Sequence, residues 1–320
     1  MNQIQPVLMP CSLIIDTDPG HDDAFAILLA LASSNVTVLG LTAVAGNIPA
    51  RMAAENARRI VELAGRAEVE VRTGADLPLF RPARHAHDIH GKTGIDGYDW
   101  ADPEVPPCGG YGPEWIISTI RQHPPGTITL LALGPLTNIA QAFRRAPDIV
   151  ARLAGMVMMG GGFFEGGNVT PSAEFNIVVD PEAASIVFRS GVRLTVLPID
   201  CSNRALMPGG WADCCAALGT RTGDACAGMI RFFERHGNAK YGTRTRPLHD
   251  VLAMAWILWP ELFSGRACHV GIETSSPLTL GMTVVDWWHV LGKAPNCLWL
   301  RDCDHETIYA RILECLSRLP

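Results

Sequence analysis

Lysine is nearly absent from this chain. Lys92, Lys240 and Lys293 are all that occur in 320 residues, against 32 acidic residues and a formal net charge of -6. A surface without a basic field cannot neutralise a run of phosphates, which excludes nucleic acid as a partner and suits small neutral substrates better. Long apolar runs are missing too. None approaches the roughly 18 residues that a bilayer crossing needs, so no membrane partner is expected. Met1 to Ser12 lack the charged start and apolar core of a secretion signal, which makes the cytoplasm the expected location. The third absence is paired cysteine spacing. Ten cysteines are scattered from Cys11 to Cys315, with Cys214 and Cys215 adjacent and no Cys-x-x-Cys. That pattern excludes the common zinc frameworks and, at this length, a disulfide scaffold. Most of these thiols read as buried apolar side chains.

What is present is a rhythm. Hydrophobic residues make up 48% and charged residues 18%, enough to bury a large core. Ser12 to Ile15 reads as a strand, Asp23 to Ser33 as a helix, Val36 to Val44 as a strand, and Ala50 to Ala64 as a helix. A short strand (Val69 to Arg72), a helix (Pro113 to Gln122), a strand (Thr127 to Ala132) and a helix (Leu136 to Arg144) follow. Ala154 to Met159, the helix Pro181 to Ser190 and Arg193 to Pro198 continue the alternation. Strands separated by helices of this size imply an α/β fold with a doubly wound, mostly parallel central sheet. From Met207 the rhythm changes to three helical stretches, Gly210 to Leu218, Asp224 to His236 and Asp250 to Trp259. Three β-like runs near His269, Met282 and Leu298 and a closing helix from His305 come after them. With no low-complexity linker, residues 1–320 read as one domain carrying a helical insertion in its C-terminal third. Thr73 to Gly112 and Gly160 to Ala173 are long loops, and loops of that length in a compact domain are often functional.

The first strand runs into Asp16-Thr17-Asp18-Pro19-Gly20-His21-Asp22-Asp23. Four carboxylates in eight residues repel one another unless a cation or hydrogen-bond donors compensate. Pro19-Gly20 makes a tight turn that lets Asp18 approach Asp22 and Asp23. An all-oxygen ligand set favours a hard cation, Ca²⁺ or Mg²⁺. One of these acids could simply cap the following helix, but four exceed that need. An aspartate pair after a hydrophobic strand also resembles phosphatases of the haloacid-dehalogenase type. Those proteins continue with a Gly-Thr type turn and use a lysine on the phosphate, and this chain has neither feature in place.

Ligands of open α/β sheets bind outside the carboxyl ends of the strands. Those ends carry Ala45-Gly46-Asn47, Leu133-Gly134-Pro135 and Met159 with its glycine run. Asn168 and Glu174-Phe175-Asn176 offer the paired donors and acceptors that a polyol such as ribose needs. His249-Asp250 opens an apolar helix, where an acid alone would be favourable as a cap. His85-Ala86-His87 with His90 has zinc-like spacing, but it lies inside a Pro- and Gly-rich loop. Gly160-Gly161-Gly162 lacks the lysine and helix start of a phosphate cradle and reads as a mobile loop.

Asp16 to Ala24 resembles the N-terminal signature of the inosine/uridine-preferring nucleoside hydrolases. The similarity continues in family order through Gly46-Asn47, His90-Gly91-Lys92-Thr93-Gly94, Gly134 to Ala140, Met159-Gly160-Gly161, Ala173 to Asn176, Asp180 to Ala184, His249-Asp250 and Gly281 to Asp286. This resemblance implies a Rossmann-like nucleoside hydrolase fold and hydrolysis of ribonucleosides to base and ribose. It implies Ca²⁺ held by Asp18, Asp23, Asp250 and the main-chain carbonyl of Leu133. Asp22, Asn47, Asn168, Glu174 and Asn176 would hold the ribose hydroxyls, Met159 would pack on the sugar, and Phe175 and His90 would lie near the base. Asp18 would also activate the attacking water, His249 would serve the leaving base, and Asp16 would support its neighbours. His90 and His249 together are similar to the pyrimidine-preferring or broad-specificity branch, and none of the eight tryptophans falls in the loops bordering the base. Tyr241 is a looser candidate for base contact. Val251 stands where many relatives have proline. Relatives form homodimers or homotetramers, and a homotetramer is expected. A non-catalytic nucleoside or ribose binder is the competing class.

Overall fold

Alternating apolar side chains make the first strand two-sided. In β1 (Cys11–Thr17), Leu13 and Ile15 face one core while Ile14 faces another, as the period of two requires. The computed structural model describes residues 10–241 and 247–320, with side chains for all of these except residues 87, 88 and 236–241. The Tyr241 side chain, the His87 ring and most of the segment Met1 to Ser12 therefore lie outside the described part.

After β1 come α1 (His21–Ala32), β2 (Val36–Ala43), α2 (Ala50–Leu63) and β3 (Val71–Thr73). The loop that follows carries a single turn, α3 (His87–His90), and leads to α4 (Gly112–Gln122), β4 (Ile128–Ala132), α5 (Thr137–Arg145) and β5 (Gly155–Met159). Then come α6 (Phe175–Val179), α7 (Pro181–Phe188), β6 (Leu194–Leu197) and α8 (Ile199–Ser202). The helical insertion consists of α9 (Trp211–Ala216), α10 (Arg221–Tyr241) and α11 (His249–Leu258). The chain closes with β7 (Phe263–Ile272), β8 (Thr283–Asp286), β9 (Cys297–Cys303) and α12 (His305–Leu316).

Among the described residues, nine strands form one sheet in the order β3-β2-β1-β4-β5-β6-β9-β7-β8. From β3 to β9 every pairing is parallel, and β7 and β8 close the edge antiparallel. The expected doubly wound α/β architecture is thus present, and its first six strands follow the dinucleotide-binding order. That order reverses between β1 and β4, which is where a ligand crevice opens in such folds. One core packs α1, α2, α10, α11 and α12 on one face, and the other packs α4, α5 and α7 on the opposite face.

Three short helices, α3, α6 and α8, were not expected, because one turn shows no periodicity to read. Helix α10 starts earlier and ends later than the expected Asp224 to His236. Helix α11 is buried nearly all round, Val251 to Ile257 being at most 2% exposed, so it is a central element and not a surface one. It packs beside α1 and starts at the same sheet edge. No helix among the described residues is long and apolar enough to cross a membrane.

Candidate active site

The end of β1 hands its acids to the start of α1. Asp23 sits in the first turn of α1, where its carboxylate accepts the Gly20 backbone N–H at 2.9 Å and the Thr17 hydroxyl at 2.5 Å. Negative charge there is favoured by the unpaired N–H groups of the helix start. Asp18 is held by the backbone of the loop after β2: Asn47 N–H donates to its Oδ2 at 2.7 Å, and the Asn47 side-chain amide donates to the Asp18 carbonyl at 3.2 Å. Gly46 and Gly134 flank that carboxylate, and a Cβ on either would overlap it. Asp250 arrives from the first turn of α11.

One carboxylate oxygen each of Asp22, Asp23 and Asp250 lie within 4.8 Å of one another. The expected trio had Asp18 in place of Asp22. Asp18 is close enough to feel the charges of Asp23 and Asp22, and its buried Oδ1 has no hydrogen-bond partner. No described Lys or Arg pairs with any of the four. Burial and then Asp23 push the Asp18 carboxyl well above the ordinary carboxylate range. Burial, followed by Asp22 and Asp23, does the same to Asp250. Asp23 is pushed up to about 6 by burial and then by Asp22. A set of buried oxygens so short of positive charge can hold a hard cation.

Asp16 turns away from this group. Its Oδ1 accepts from the Thr42 hydroxyl and from Asn138 Nδ2 at 2.8 Å, and burial raises it to about 7. These bonds tie β1 to β2 and α5, which is a supporting place and not the exposed place a phosphatase nucleophile needs.

Above the acids lies a cavity of about 690 Å³. Asp22 and Asp250 reach it, as do Asn47, Leu133, Met159, Asn168, Glu174, Phe175, Asn176, His90 and His249, whereas Asp18 and Asp23 do not line it. Several of these side chains also hold the walls together. Glu174 caps α6, accepting from Asn176 N–H at 3.0 Å and from Gly161 N–H at 2.9 Å. Burial still raises its carboxyl to about 7. Asn176 Nδ2 donates to the Leu133 carbonyl at 2.7 Å and to the Met159 carbonyl at 3.2 Å, joining the ends of β4 and β5. Asn168 Oδ1 accepts the Phe175 N–H at 3.0 Å.

The opposite wall is aromatic. His90 and Phe233 stack at 6.2 Å between centroids, and His21 stacks on His90 at 5.4 Å. His21 Nδ1 lies 3.2 Å from His90 Nδ1, and the His21 Nε2 meets the Asp96 carbonyl at 2.8 Å. His85 Nδ1 meets the Gly46 carbonyl at 2.8 Å, so both described histidines of the zinc-like spacing have an Nδ1 engaged elsewhere. Sequence reasoning missed Phe233 and His21. Phe233 belongs to the apolar face of α10 and reads as core, while His21 is masked by the acids around it. No tryptophan occurs among the described lining residues.

A strand-order reversal, clustered acids and a polyol-sized cavity narrow the family, and sequence comparison identifies it. The model of the "Inosine-uridine preferring nucleoside hydrolase" family matches residues 13–310. The chain is 41% identical over 290 residues to the pyrimidine-specific ribonucleoside hydrolase RihA of Shewanella oneidensis, covering 90% of each. It is 43% identical over 308 residues to an uncharacterized protein of Schizosaccharomyces pombe, covering 96% of this chain and 99% of that one. Among solved structures, the purine-preferring ribonucleoside hydrolase from Gardnerella vaginalis superposes with a TM-score of 0.90 at 28% identity, over 96% of this chain and 98% of that one. A family match spanning residues 13–310, together with 41% identity to a relative over 90% of both chains, establishes that the chain belongs to the inosine-uridine preferring nucleoside hydrolase family.

Proposed function

We propose that this nucleoside hydrolase splits ribonucleosides into base and ribose with a preference for pyrimidines, using calcium and a water activated by Asp18. The observation that carries this reading is the clustering of Asp22, Asp23 and Asp250, with Asp18 close enough to feel the charges of Asp22 and Asp23, beside a cavity that Asp22 and Asp250 line. The donor set fits a hard divalent ion: the oxygens are buried, the Asp18 Oδ1 has no partner, and no described Lys or Arg forms an ion pair with these acids. Asp18, Asp23, Asp250 and the Leu133 carbonyl would hold Ca²⁺, with Asp22 near enough to share it. When bound, the ion supplies positive charge that acidifies a nearby water and gives the ribose hydroxyls a fixed point.

The chain's own residues do the rest. Asp18 takes the proton of the attacking water, the role of a general base. Asp22, Asn47, Asn168, Glu174 and Asn176 orient the ribose hydroxyls, and Met159 packs on the sugar. Departure of the base leaves oxocarbenium-like positive charge on the ring, which the surrounding carboxylates stabilise. His90, Phe233 and Phe175 border the base, and His249 donates to it as it leaves. A pyrimidine preference is supported by the RihA relative and by the aromatic wall of His90 and Phe233 without a described tryptophan. Cytoplasmic residence and a homotetramer are proposed on the resemblance, and light scattering of the purified chain tests the assembly.

A ribose-release panel of uridine, cytidine, inosine and adenosine tests the reaction. Uridine and cytidine are expected to turn over fastest. Chelation is expected to suppress the rate by about 10³-fold, the equivalent of several kcal/mol of lost charge stabilisation, and added calcium to restore it. Absence of ribose from every nucleoside with calcium present would leave only a nucleoside binder, and phosphate release from a phosphomonoester would point to the phosphatase chemistry.

Gly134→Ala probes the same floor without touching a charge. Its Cβ must displace the Asp18 carboxylate, and a shift of that order is expected to lower kcat by about 100-fold. The overpacking should cost about 1–3 kcal/mol of stability, visible as a modest fall in Tm. Full activity in this variant would mean that the position of Asp18 is not critical.

A further inference from the structure

We infer that Ser202 is a positioning residue for His249, fixing the imidazole through Nδ1 so that Nε2 is the nitrogen that meets the leaving base. The inference rests on the reading of His249 as donor to that base.

Ser202 is fully buried at the end of α8, and its Oγ lies 2.7 Å from His249 Nδ1. The same hydroxyl reaches back to the Pro198 carbonyl at 3.4 Å, a common local bond for serine in a helix. With its one proton on the Pro198 carbonyl, the hydroxyl oxygen accepts Nδ1–H at the shorter contact, and His249 then donates from Nε2 as the imidazolium.

The rigidity of that contact depends on α8, which is pinned from both sides. The Asp200 carboxylate accepts backbone N–H groups of Phe163 at 3.1 Å, Phe164 at 2.8 Å and Glu165 at 2.9 Å. It also accepts the Trp299 indole N–H from β9 at 3.0 Å, and Arg301 Nη1 donates to the Asp200 carbonyl at 3.0 Å. A helix of one turn has little stability of its own. Here five donors from the glycine-rich loop and β9 hold it. Ser202 is consequently a fixed post, and His249, which opens α11 across the gap, is tied to it. An imidazole with both nitrogens able to bond can rotate about two side-chain torsions. Committing Nδ1 removes that freedom and assigns the outward role to Nε2, the usual division of labour for a catalytic histidine.

Two substrates separate this role from a merely structural one. Uridine needs help for its leaving base, whereas p-nitrophenyl riboside releases a stable phenolate that needs none. In the calcium-loaded enzyme, Ser202→Ala is expected to lower kcat on uridine about tenfold, a fraction of what a general acid supplies, with KM changed far less. The loss on p-nitrophenyl riboside should be about twofold or smaller, because positioning of the acid no longer matters there. Ser202→Thr, which keeps the hydroxyl, should restore uridine turnover. Ser202→Cys keeps the volume with a weaker bond and should show the same split as Ala, which covers the case of a poorly folded Ala variant. Equal losses on both substrates, or a Thr variant as impaired as Ala, overturn the proposal. So does a fully active Ser202→Ala beside an impaired His249→Ala, an outcome that leaves the histidine's own role standing. A His249→Ala enzyme with full uridine turnover removes that role itself.

Discussion

Asp18→Ala is expected to lower kcat on uridine by about 10⁴-fold, the sum of a lost general base and a weakened cation site, while Tm in chelator moves by only a few degrees. The two halves of this expectation have one cause. Asp18 is buried, carries a strongly raised pKa, and leaves Oδ1 without a partner. Such a group is costly to the fold and is kept for what it does at the site. Its removal gives up the hydrogen bond from Asn47 N–H, a loss of about 1 kcal/mol. Relief of repulsion from Asp22 and Asp23 acts in the opposite direction. Steady-state kinetics beside a thermal melt reads both quantities. Residual turnover above about 1% would exceed what survives loss of a base at this site and would move the role to another acid, Asp22 being the nearest that lines the cavity. A collapse of Tm would instead mean that Asp18 is structural and that its lost activity says nothing about chemistry.

The parts of this site that could be read from sequence are those whose local cost is high. Four acids at the end of an apolar strand have no ordinary structural explanation, so Asp16 to Asp23 stands out. Asp250 does not, since one acid opening a helix is an ordinary cap, and only the family resemblance brought it to the site. Its arrival depends on α11 starting at the same sheet edge as α1, a contact across more than two hundred residues that local pattern does not encode. Phe233 was hidden for the opposite reason: on an amphipathic helix it looks like core, and in part it is. Ser202 lies in a helix of four residues, too short for any period. The same limit applies to the sheet. Each of the last three strands was visible as a β-like run, but the insertion of β9 between β6 and β7 is a long-range choice, made by the pairing of Leu194 to Val196 with Cys297 to Trp299.

Without a bound cation, the protein is expected to lose stability as the pH rises from about 4 to about 7. Asp23 stands at about 6 in the fold against an ordinary 3.8, Asp16 at about 7 against 3.8, and Glu174 at about 7 against 4.5. Burial is the leading cause for all three, and it likewise raises Asp18 and Asp250 well above the ordinary carboxylate range. A raised carboxyl keeps its proton in the native chain after the unfolded chain has released it. Native protein then binds more protons than unfolded protein, and stability falls with pH across that window. Together these groups are expected to lower stability by a few kcal/mol, or several degrees in Tm for a chain of this size. The exposed Arg121–Asp148 pair has the opposite sign, but the lowered Asp148 titrates below its ordinary 3.8 and so outside the window. Calcium should compete with these protons, since its carboxylate ligands must be ionised to bind it. Its stabilising effect should accordingly grow from pH 5 to pH 8, where the chelated protein is weakest. Calorimetric melts at pH 5, 6, 7 and 8, with calcium and with chelator, provide the comparison. A chelated protein whose Tm stays flat or rises over that range would show that the acids are not held at the cost their burial implies. A calcium effect independent of pH would place the ion on groups already ionised, away from Asp18, Asp23 and Asp250.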